Sequence, residues 1–400
     1  MNVAIIGGGA AGLMVAITAA EDRHRVVVFE RQARVGRKLL ATGNGRCNLT
    51  NMKIEPKNYH GLEPDFALPA LERFPPERTR DFFLSLGLLT TAESNGRVYP
   101  FSDQAGSVLD VLRFAAQERG AEIRTGAEVA AISRAGGSFL LRVGGGCEYF
   151  DRVIVCCGGL AGGKLGGTGS GYELLSSLGH SRTNLYPSLI QLKTGSAFAR
   201  SLKGVRADGK AQIYQNGVLI AESAGEIQFT DFGLSGPAIF EVSRAASTAS
   251  GSVEARLDLM RSFGMDDILS LLECRASSFS SLTLENLLTG MLHNRLGRTV
   301  IRAAGYSLTA PISALRPSDL WKIAGTLKNF VFPITGTPGF DSAQVTAGGI
   351  KTCEFKPETM ESRIIPGLYA AGEVLDIDGD CGGYNLQWAW ASGRLAGRLL

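Results

Sequence analysis

The first 30 residues hold the pattern that most restricts how this chain can fold: an apolar strand, a glycine turn, a helix, a second strand and an acid. Val3–Ile6 leads into Gly-Gly-Gly-Ala-Ala-Gly at positions 7–12. After an alanine-rich stretch, a second apolar run at Val26–Phe29 closes on Glu30. This order is typical of a parallel α/β sheet that holds a dinucleotide.

Each part of this segment has a physical role. Gly7 allows the tight turn out of the strand, and Gly9 lacks the side chain that would block a pyrophosphate. Gly12 lets the helix pack closely on the sheet, and the free N–H groups at the helix start attract phosphates. Glu30 follows where a carboxylate accepts hydrogen bonds from a ribose. By itself, the segment suits NAD at least as well as FAD.

The composition excludes several classes of protein. A net charge of +3 over 400 residues is too small to indicate a nucleic-acid or acidic-membrane partner. No apolar run approaches 18 residues, and a first strand beginning at Asn2 leaves no room for a signal peptide, so we expect a cytoplasmic protein. The seven cysteines form no C-x-x-C pair and the four histidines are scattered, so we expect neither disulfides nor a metal.

The order of predicted elements indicates two regions. The chain outside the middle third reads as an α/β domain, with a helix at 105–119, strands at 122–125, 128–132, 139–143 and 152–156, and a helix at 172–179. From about residue 188 the pattern changes to short strands at 189–194, 210–215 and 218–222, then helices at 265–275, 283–304 and 317–328. Asn216-Gly217 between two of these runs predicts a hairpin.

Near the C-terminus, a second set of glycines favours a flavin. The short strand Leu368–Ala371 ends in Gly372-Glu373, and Gly382-Gly383 precede a helix that starts near Asn385. A helix N-terminus at that place stabilises negative charge on a ring system, as a reduced flavin requires and a nicotinamide does not.

Four longer stretches resemble one bacterial flavoprotein family, the BaiN-like or aminoacetone-oxidase-like FAD-binding family. They are GRKLLATGNGRCNLTN (36–51), FTDFGLSGPAI (229–239), TAGGI (346–350) and MESRIIPGLYAAGEVLDIDGDCGGYNLQWAWASG (360–393). The resemblance implies a glutathione-reductase-type, Rossmann-like FAD-binding domain from both chain ends, at 1–187 and 336–400. An inserted β-barrel and helical substrate domain would occupy 188–335.

The resemblance also implies three groups of cofactor-binding residues. The adenosine and pyrophosphate would be surrounded by Gly7, Gly9, Ala10, Ala11, Gly12, Glu30, Arg31, Lys38, Val129 and Gly158. The flavin would be passed by Thr42, Gly43, Gly45, Arg46, Cys47 and Asn48. The ribityl chain and ring would be contacted by Gly372, Glu373, Asp376, Gly383, Asn385, Leu386 and Gln387.

Several of these residues also have simpler interpretations. Lys38 and Arg46 belong to a run of cations that could be a solvated loop. Cys47 could be a redox thiol, but a small buried packing residue is the more common role. Asp376 lies in an acidic turn, where contact with ribityl hydroxyls is favoured over cation binding.

These observations predict an FAD-dependent oxidoreductase that acts on a small molecule. If NAD(P)H is the electron donor, we expect it to bind only transiently, because no second strand–glycine turn–helix unit is present to hold it. The first hypothesis is reduction of an activated double bond. The alternatives are an O2-dependent oxidase of a small amine or amino ketone, and a non-catalytic flavin-dependent binding or RNA-modification accessory protein. No catalytic acid or base stands out.

Overall fold

The computed structural model describes residues 1–400 and divides them into two compact units, Met1–Tyr186 with Gln344–Leu400, and Pro187–Ala343. The α-helices are α1 (Ala10–Glu21), α2 (Arg37–Ala41), α3 (Leu68–Arg73), α4 (Pro76–Ser85), α5 (Ala105–Glu118), α6 (Ser170–Ser177), α7 (Ala197–Ser201), α8 (Pro237–Thr248), α9 (Met265–Ser278), α10 (Asn294–Ala303), α11 (Pro317–Lys328) and α12 (Tyr384–Ala396).

The strands range from two to twelve residues, and the two longest belong to the second unit. They are β1 (Asn2–Ile6), β2 (Arg25–Glu30), β3 (Thr50–Asn51), β4 (Tyr59–His60), β5 (Thr90–Ala92), β6 (Arg97–Pro100), β7 (Glu122–Thr125), β8 (Val129–Ala135), β9 (Ser138–Val143), β10 (Gly146–Phe150), β11 (Arg152–Val155), β12 (Tyr186–Ser188), β13 (Leu192–Thr194), β14 (Arg206–Gln215), β15 (Val218–Phe229), β16 (Gly233–Ser235), β17 (Val253–Asp258), β18 (Phe330–Gly336), β19 (Val345–Ala347), β20 (Leu368–Ala370) and β21 (Asp378–Gly379).

A five-stranded parallel sheet in the order β20-β11-β1-β2-β7 forms the centre of the first unit. The apolar residues of β1 and β2 are buried. Helices α1 and α12 pack against each other, and glycines on α12 permit the close approach, since a Cβ at Gly393 would lie 2.8 Å from the carbonyl oxygen of Ala11. The predicted Rossmann-type α/β fold is therefore confirmed.

The second unit contains a closed barrel of six strands in the order β13-β16-β15-β14-β17-β18. Asn216 and Gly217 join β14 to β15 with φ angles of 49° and 83°, which is the left-handed pair that a tight hairpin needs. The apolar side chains in this unit form a hydrophobic core separate from the one in the first unit. The predicted hairpin and barrel are confirmed.

Two element predictions were wrong. The helix predicted at 283–304 is a 3-10 turn at Leu284–Asn286 followed by α10, because Gly290 adopts φ 85° and His293 starts a new helix by accepting the Arg295 N–H. The strand predicted at 189–194 is reduced to β13, since Leu189 adopts φ 51°.

Candidate functional site

The first glycine turn is tightly packed around Gly7 and Gly12 and open at Gly9. Gly7 has φ 105°, and a Cβ there would lie 2.4 Å from the Cys156 carbonyl oxygen. A Cβ at Gly12 would lie 1.9 Å from the carbonyl oxygen of Gly7. A Cβ at Gly9, in contrast, would meet no atom within 4 Å. The chain therefore packs tightly at Gly7 and Gly12 and leaves space next to Gly9.

That space lies at the N-terminus of α1. Gly9 is the N-cap and offers no side-chain hydrogen bond to the helix. The first intrahelical bond runs from Leu13 N–H to the Gly9 carbonyl oxygen, so the N–H groups of Ala10, Ala11 and Gly12 have no partner in the helix. Free N–H groups at a helix start bind phosphate oxygens.

Glu30 ends β2 beside this turn. Its Oε2 accepts the Gly8 N–H at 2.9 Å and its Oε1 accepts the Gln32 N–H at 2.8 Å. The carboxylate is thus held at the edge of the turn. Arg31 next to it donates to the Gly166 carbonyl oxygen at 3.3 Å.

The C-terminal segment meets the first turn directly. Gly372 has φ 78°, and a Cβ there would lie 3.0 Å from the Ala11 Cβ. Its N–H donates to Ser392 Oγ at 3.0 Å, and its carbonyl oxygen accepts the Trp388 indole N–H at 3.1 Å. Residues far apart in sequence therefore form one continuous surface at the carboxyl ends of the strands.

Lys38 and Glu373 form an ion pair of 2.6 Å across this surface. The other oxygen of Glu373 accepts the Thr346 N–H at 2.8 Å, so the carboxylate connects three segments of the chain. The Lys38 side chain is 32% exposed and that of Glu373 is 20% exposed. The cation of the basic loop thus reaches the second glycine turn.

Helix α12 begins at the same end of the fold. Gly383 is its N-cap with φ 103°, where a Cβ would lie 2.4 Å from the Thr50 carbonyl oxygen. No side chain caps the helix. In the first turn, the Asn385 side chain accepts the Gly379 N–H at 2.9 Å and donates to the Gly379 carbonyl oxygen at 2.7 Å. These bonds fix the segment that enters the helix.

The loop at 42–48 is tightly wound. Gly43, Asn44, Gly45 and Cys47 all adopt positive φ angles. The Oδ1 atom of Asn48 is buried and has no hydrogen-bond partner in the protein. A buried acceptor without a donor is costly, so this atom marks a position where a ligand group would complete the hydrogen bonding.

Cys47 has the environment of a packing residue. Burial raises the pKa of its thiol to about 12, which keeps the sulfur protonated at neutral pH. A neutral thiol is a poor nucleophile, so the structure favours the packing interpretation over the redox one.

Two predicted cofactor residues have side chains that bind other groups of the protein. The Arg46 guanidinium lies 4.0 Å above the Tyr99 ring centre and pairs with Glu93 and Asp103. Gln387 is fully buried, where its Oε1 accepts the Thr50 and Thr79 hydroxyls and its Nε2 donates to the Phe74 carbonyl oxygen. The Gln387 amide therefore joins α12 to neighbouring segments of the protein through buried hydrogen bonds.

The remaining predicted residues have varied surroundings. Thr42 donates its hydroxyl to the Leu39 carbonyl oxygen, Val129 is buried in β8, and Leu386 is half-buried in α12. Gly158 has φ 70° with open space around it. Asp376 accepts the Leu62 N–H at 3.1 Å. These positions remain predictions as cofactor contacts.

A histidine–carboxylate pair that the sequence gave no sign of lies beside α12. His60 Nε2 is 2.7 Å from Asp380 Oδ1, and the two residues are 320 positions apart in the chain. No local pattern links them. The signal that could have found them is the antiparallel pairing of β4 with β21, which only the folded chain displays.

This arrangement fits FAD. The space at Gly9 and the free N–H groups of α1 suit a pyrophosphate, while the uncapped start of α12 and the Asn48 acceptor suit a polar ring system. The fold and the site together define a Rossmann-type FAD-binding flavoprotein.

The chain belongs to the family described as the HI0933-like protein Rossmann domain, which it matches over residues 1–399. It is 39% identical to the 3-dehydro-bile acid delta(4,6)-reductase of Clostridium scindens, over 99% of this chain and 98% of that protein. It is 30% identical to the ribosomal RNA dihydrouridine synthase of Haemophilus influenzae, over 97% of this chain and 95% of that protein.

Among solved structures, it is similar to the 3-ketosteroid delta1-dehydrogenase of Sterolibacterium denitrificans, with a TM-score of 0.50 and 14% identity over 99% of this chain and 98% of that one. At this identity the likeness concerns the fold alone. The family and the reductase relative establish the protein as an FAD-dependent oxidoreductase. None of its helices is both long and apolar enough to span a bilayer.

Proposed function

We propose that this protein reduces an activated carbon–carbon double bond of a small organic molecule, with NAD(P)H as the electron donor. The observation that carries the proposal is the 39% identity, over nearly the full length of both chains, with a reductase named for a delta(4,6) bile acid. In a 4,6-dien-3-one the double bonds are conjugated to a carbonyl. This conjugation lets a double bond accept a hydride at its carbon farther from the carbonyl.

The residues of the first unit would hold the cofactor in the following way. The N–H groups of Ala10 and Ala11 would bind the pyrophosphate beside Gly9, and Glu30 would accept from the adenosine ribose. The Lys38–Glu373 pair would lie next to the ribityl chain. The start of α12 would stabilise negative charge at one end of the ring. Bound FAD would supply the two-electron hydride chemistry.

Anaerobic mixing tests this proposal. The purified protein should be yellow, NADH or NADPH should bleach the flavin absorbance, and a 4,6-dien-3-one steroid or 2-cyclohexen-1-one should restore it. Failure of both nicotinamides to bleach the flavin would reject the donor. Failure of every activated alkene to reoxidise dithionite-reduced enzyme would reject the reductase function itself.

A second candidate is reduction of uridine in RNA, which the name of the H. influenzae relative favours. A small net charge of +3 opposes it, because RNA binding depends mainly on cationic contacts to phosphates. Incubation of the reduced enzyme with unmodified ribosomal RNA, followed by mass analysis of the nucleosides, tests it. Appearance of dihydrouridine would support this candidate over the small-molecule one.

A further inference from the structure

We infer that His60 is the proton donor of the reduction and that Asp380 orients it, an inference that rests on the proposed function. Adding hydrogen across a double bond takes a hydride at one carbon and a proton at the other. The flavin accounts for the hydride. A positioned side chain speeds the proton transfer, and His60 is the half-exposed histidine next to the start of α12.

A two-stranded ribbon fixes the backbone of both residues. Strand β4 pairs with β21 in antiparallel register, with His60 opposite Asp378 and Tyr59 opposite Gly379. The ribbon continues one residue further, where the Asp380 N–H donates to the Asn58 carbonyl oxygen at 3.0 Å. The two side chains therefore meet through backbone pairing and not through a chance surface contact.

The hydrogen bonds of the pair determine which ring nitrogen is available. Asp380 Oδ1 accepts from His60 Nε2 at 2.7 Å, and Asp380 Oδ2 accepts from the Asn58 amide at 2.9 Å. The carboxylate thus holds the proton on Nε2 in both charge states of the ring. Nδ1 makes no hydrogen bond to the protein, and the His60 side chain is 32% exposed. Nδ1 is therefore the nitrogen that can give a proton away.

The pair is also tied to the helix that would face the flavin. The Asn385 amide, in the first turn of α12, donates to the Asp380 carbonyl oxygen at 3.2 Å as well as to that of Gly379. Asp380 lies three residues before the N-cap Gly383. This network holds the dyad at a constant position relative to the start of α12.

The charged groups that face His60 are mostly acidic. Asp380 contacts it directly, Asp378 is opposite it in the ribbon, and Asp376 accepts the Leu62 N–H two residues further on. Lys57, in the turn before β4, pairs with Glu55 and adds a solvated cation near Asp380. These groups together set the electrostatic surroundings of the His60 ring.

The step balances as follows. When bound and reduced, FAD would supply a hydride to one carbon of the activated double bond and would itself be oxidised, so that the substrate gains two electrons. The His60 ring breaks its Nδ1–H bond and transfers that proton to the other carbon of the reduced double bond. Water then returns a proton to Nδ1, and NAD(P)H or dithionite reduces the flavin again.

Separating the two half-reactions by stopped-flow absorbance tests this assignment. In His60→Gln, flavin reduction should be unchanged, and reoxidation by 2-cyclohexen-1-one should slow by about 10²- to 10⁴-fold. Reoxidation should also lose the solvent deuterium effect of the wild type. Asp380→Asn should slow the same step by a smaller factor. His24→Gln, which changes a histidine in the turn before β2, is the matched control and should behave as wild type.

Wild-type reoxidation rates in His60→Gln would overturn the inference while leaving the proposed function intact. Wild-type enzyme that reduces no activated alkene would reject the proposed function, and the inference with it. FAD content and the urea midpoint of each variant separate a chemical effect from misfolding.

A readout without turnover comes from the apoprotein. The chain has only four histidines, so ¹⁵N-histidine NMR resolves them, and the signal that disappears in His60→Gln identifies the ring. We expect neutral His60 as the Nε2–H tautomer in wild type and as a mixture in Asp380→Asn. A tautomer mixture in wild type would show that Asp380 does not orient the ring and would overturn the inference.

Discussion

The first unit contains two histidine–carboxylate pairs that have almost the same length but differ in the exposure of the histidine ring. His60 Nε2 lies 2.7 Å from Asp380, and His180 Nδ1 lies 2.8 Å from Glu354. The second ring is completely buried, stacks on Phe355 with ring centres 4.6 Å apart, and accepts the Ser362 hydroxyl on its other nitrogen at 3.0 Å. It therefore has no free nitrogen.

His180, Glu354 and Ser362 have the bonding order of a catalytic triad without its accessibility. Ser362 Oγ accepts the N–H groups of Ile364 and Ile365, so its own proton is directed to His180 and its oxygen is enclosed. The comparison shows that pair geometry alone does not define a reactive site. The decisive feature is whether one ring nitrogen remains open.

The glycine turn shows a similar contrast between an enclosed and an open position, at two glycines three residues apart. Gly12 is packed against the Gly7 carbonyl oxygen, while Gly9 faces open space. One glycine serves the fold and the other would serve the ligand.

Substitution of Gly12 and of Gly9 should have the largest effects on stability and on FAD binding. Gly12→Ala places a methyl group 1.9 Å from a backbone oxygen, so we expect the apoprotein to lose about 3 kcal/mol of unfolding free energy. Gly9→Ala should cost the apoprotein less than about 1 kcal/mol, since it meets no protein atom, yet it should abolish retention of FAD. Urea unfolding and bound-flavin absorbance measure both. Equal loss of stability in the two variants would contradict the contrast.

Replacing each of the two paired histidines by alanine should give the next largest difference in the free energy of unfolding. His180→Ala leaves the Glu354 carboxylate and the Ser362 hydroxyl without their buried partner and opens a cavity, so we expect a loss of about 2–4 kcal/mol. His60→Ala breaks a half-exposed pair, for which about 1 kcal/mol or less is expected. Urea unfolding of both apoproteins tests the order, and a larger loss in His60→Ala would refute it.

The smallest expected effect is a pH dependence of stability. Burial lowers the pKa of His180 from 6.5, and the bond to Glu354 offsets this only in part. The unfolded chain therefore binds a proton below pH 6.5 that the folded chain does not. The free energy of unfolding that the buried, neutral His180 contributes is therefore complete above pH 6.5, and it is lost as the pH falls toward the pKa of His180 in the folded chain.

The difference between the urea midpoints of wild type and His180→Gln should therefore become smaller as the pH falls from 8 to 5. A constant difference between wild type and His180→Gln across this range would contradict the prediction.

The sequence predicted what depends on neighbouring residues. The glycine turn at 7–12, the hairpin at Asn216-Gly217 and helix α11 each follow from local periodicity and turn chemistry. The broken helix at 283–304 was missed because apolar spacing continues across a glycine that the fold uses as a turn.

Contacts over long distances in the chain could not be predicted in this way. Lys38 and Glu373 are 335 residues apart, and His60 and Asp380 are 320 apart, so no local pattern pairs them. The buried role of Gln387 depends likewise on Thr50, Thr79 and Phe74, which tertiary packing brings to one face of α12.

The pairing of β4 with β21 and of β11 with β20 has a consequence for biosynthesis. A ribosome completes β1, β2, β7 and β11 long before it makes β20, so the growing chain carries an unpaired β11 edge while residues 187–343 are still being made. The sequence separation of these contacts also makes their formation slow. If the start of α12 holds the flavin as proposed, FAD is captured only when synthesis is nearly finished, and a yellow product then reports a chain that has been translated through α12.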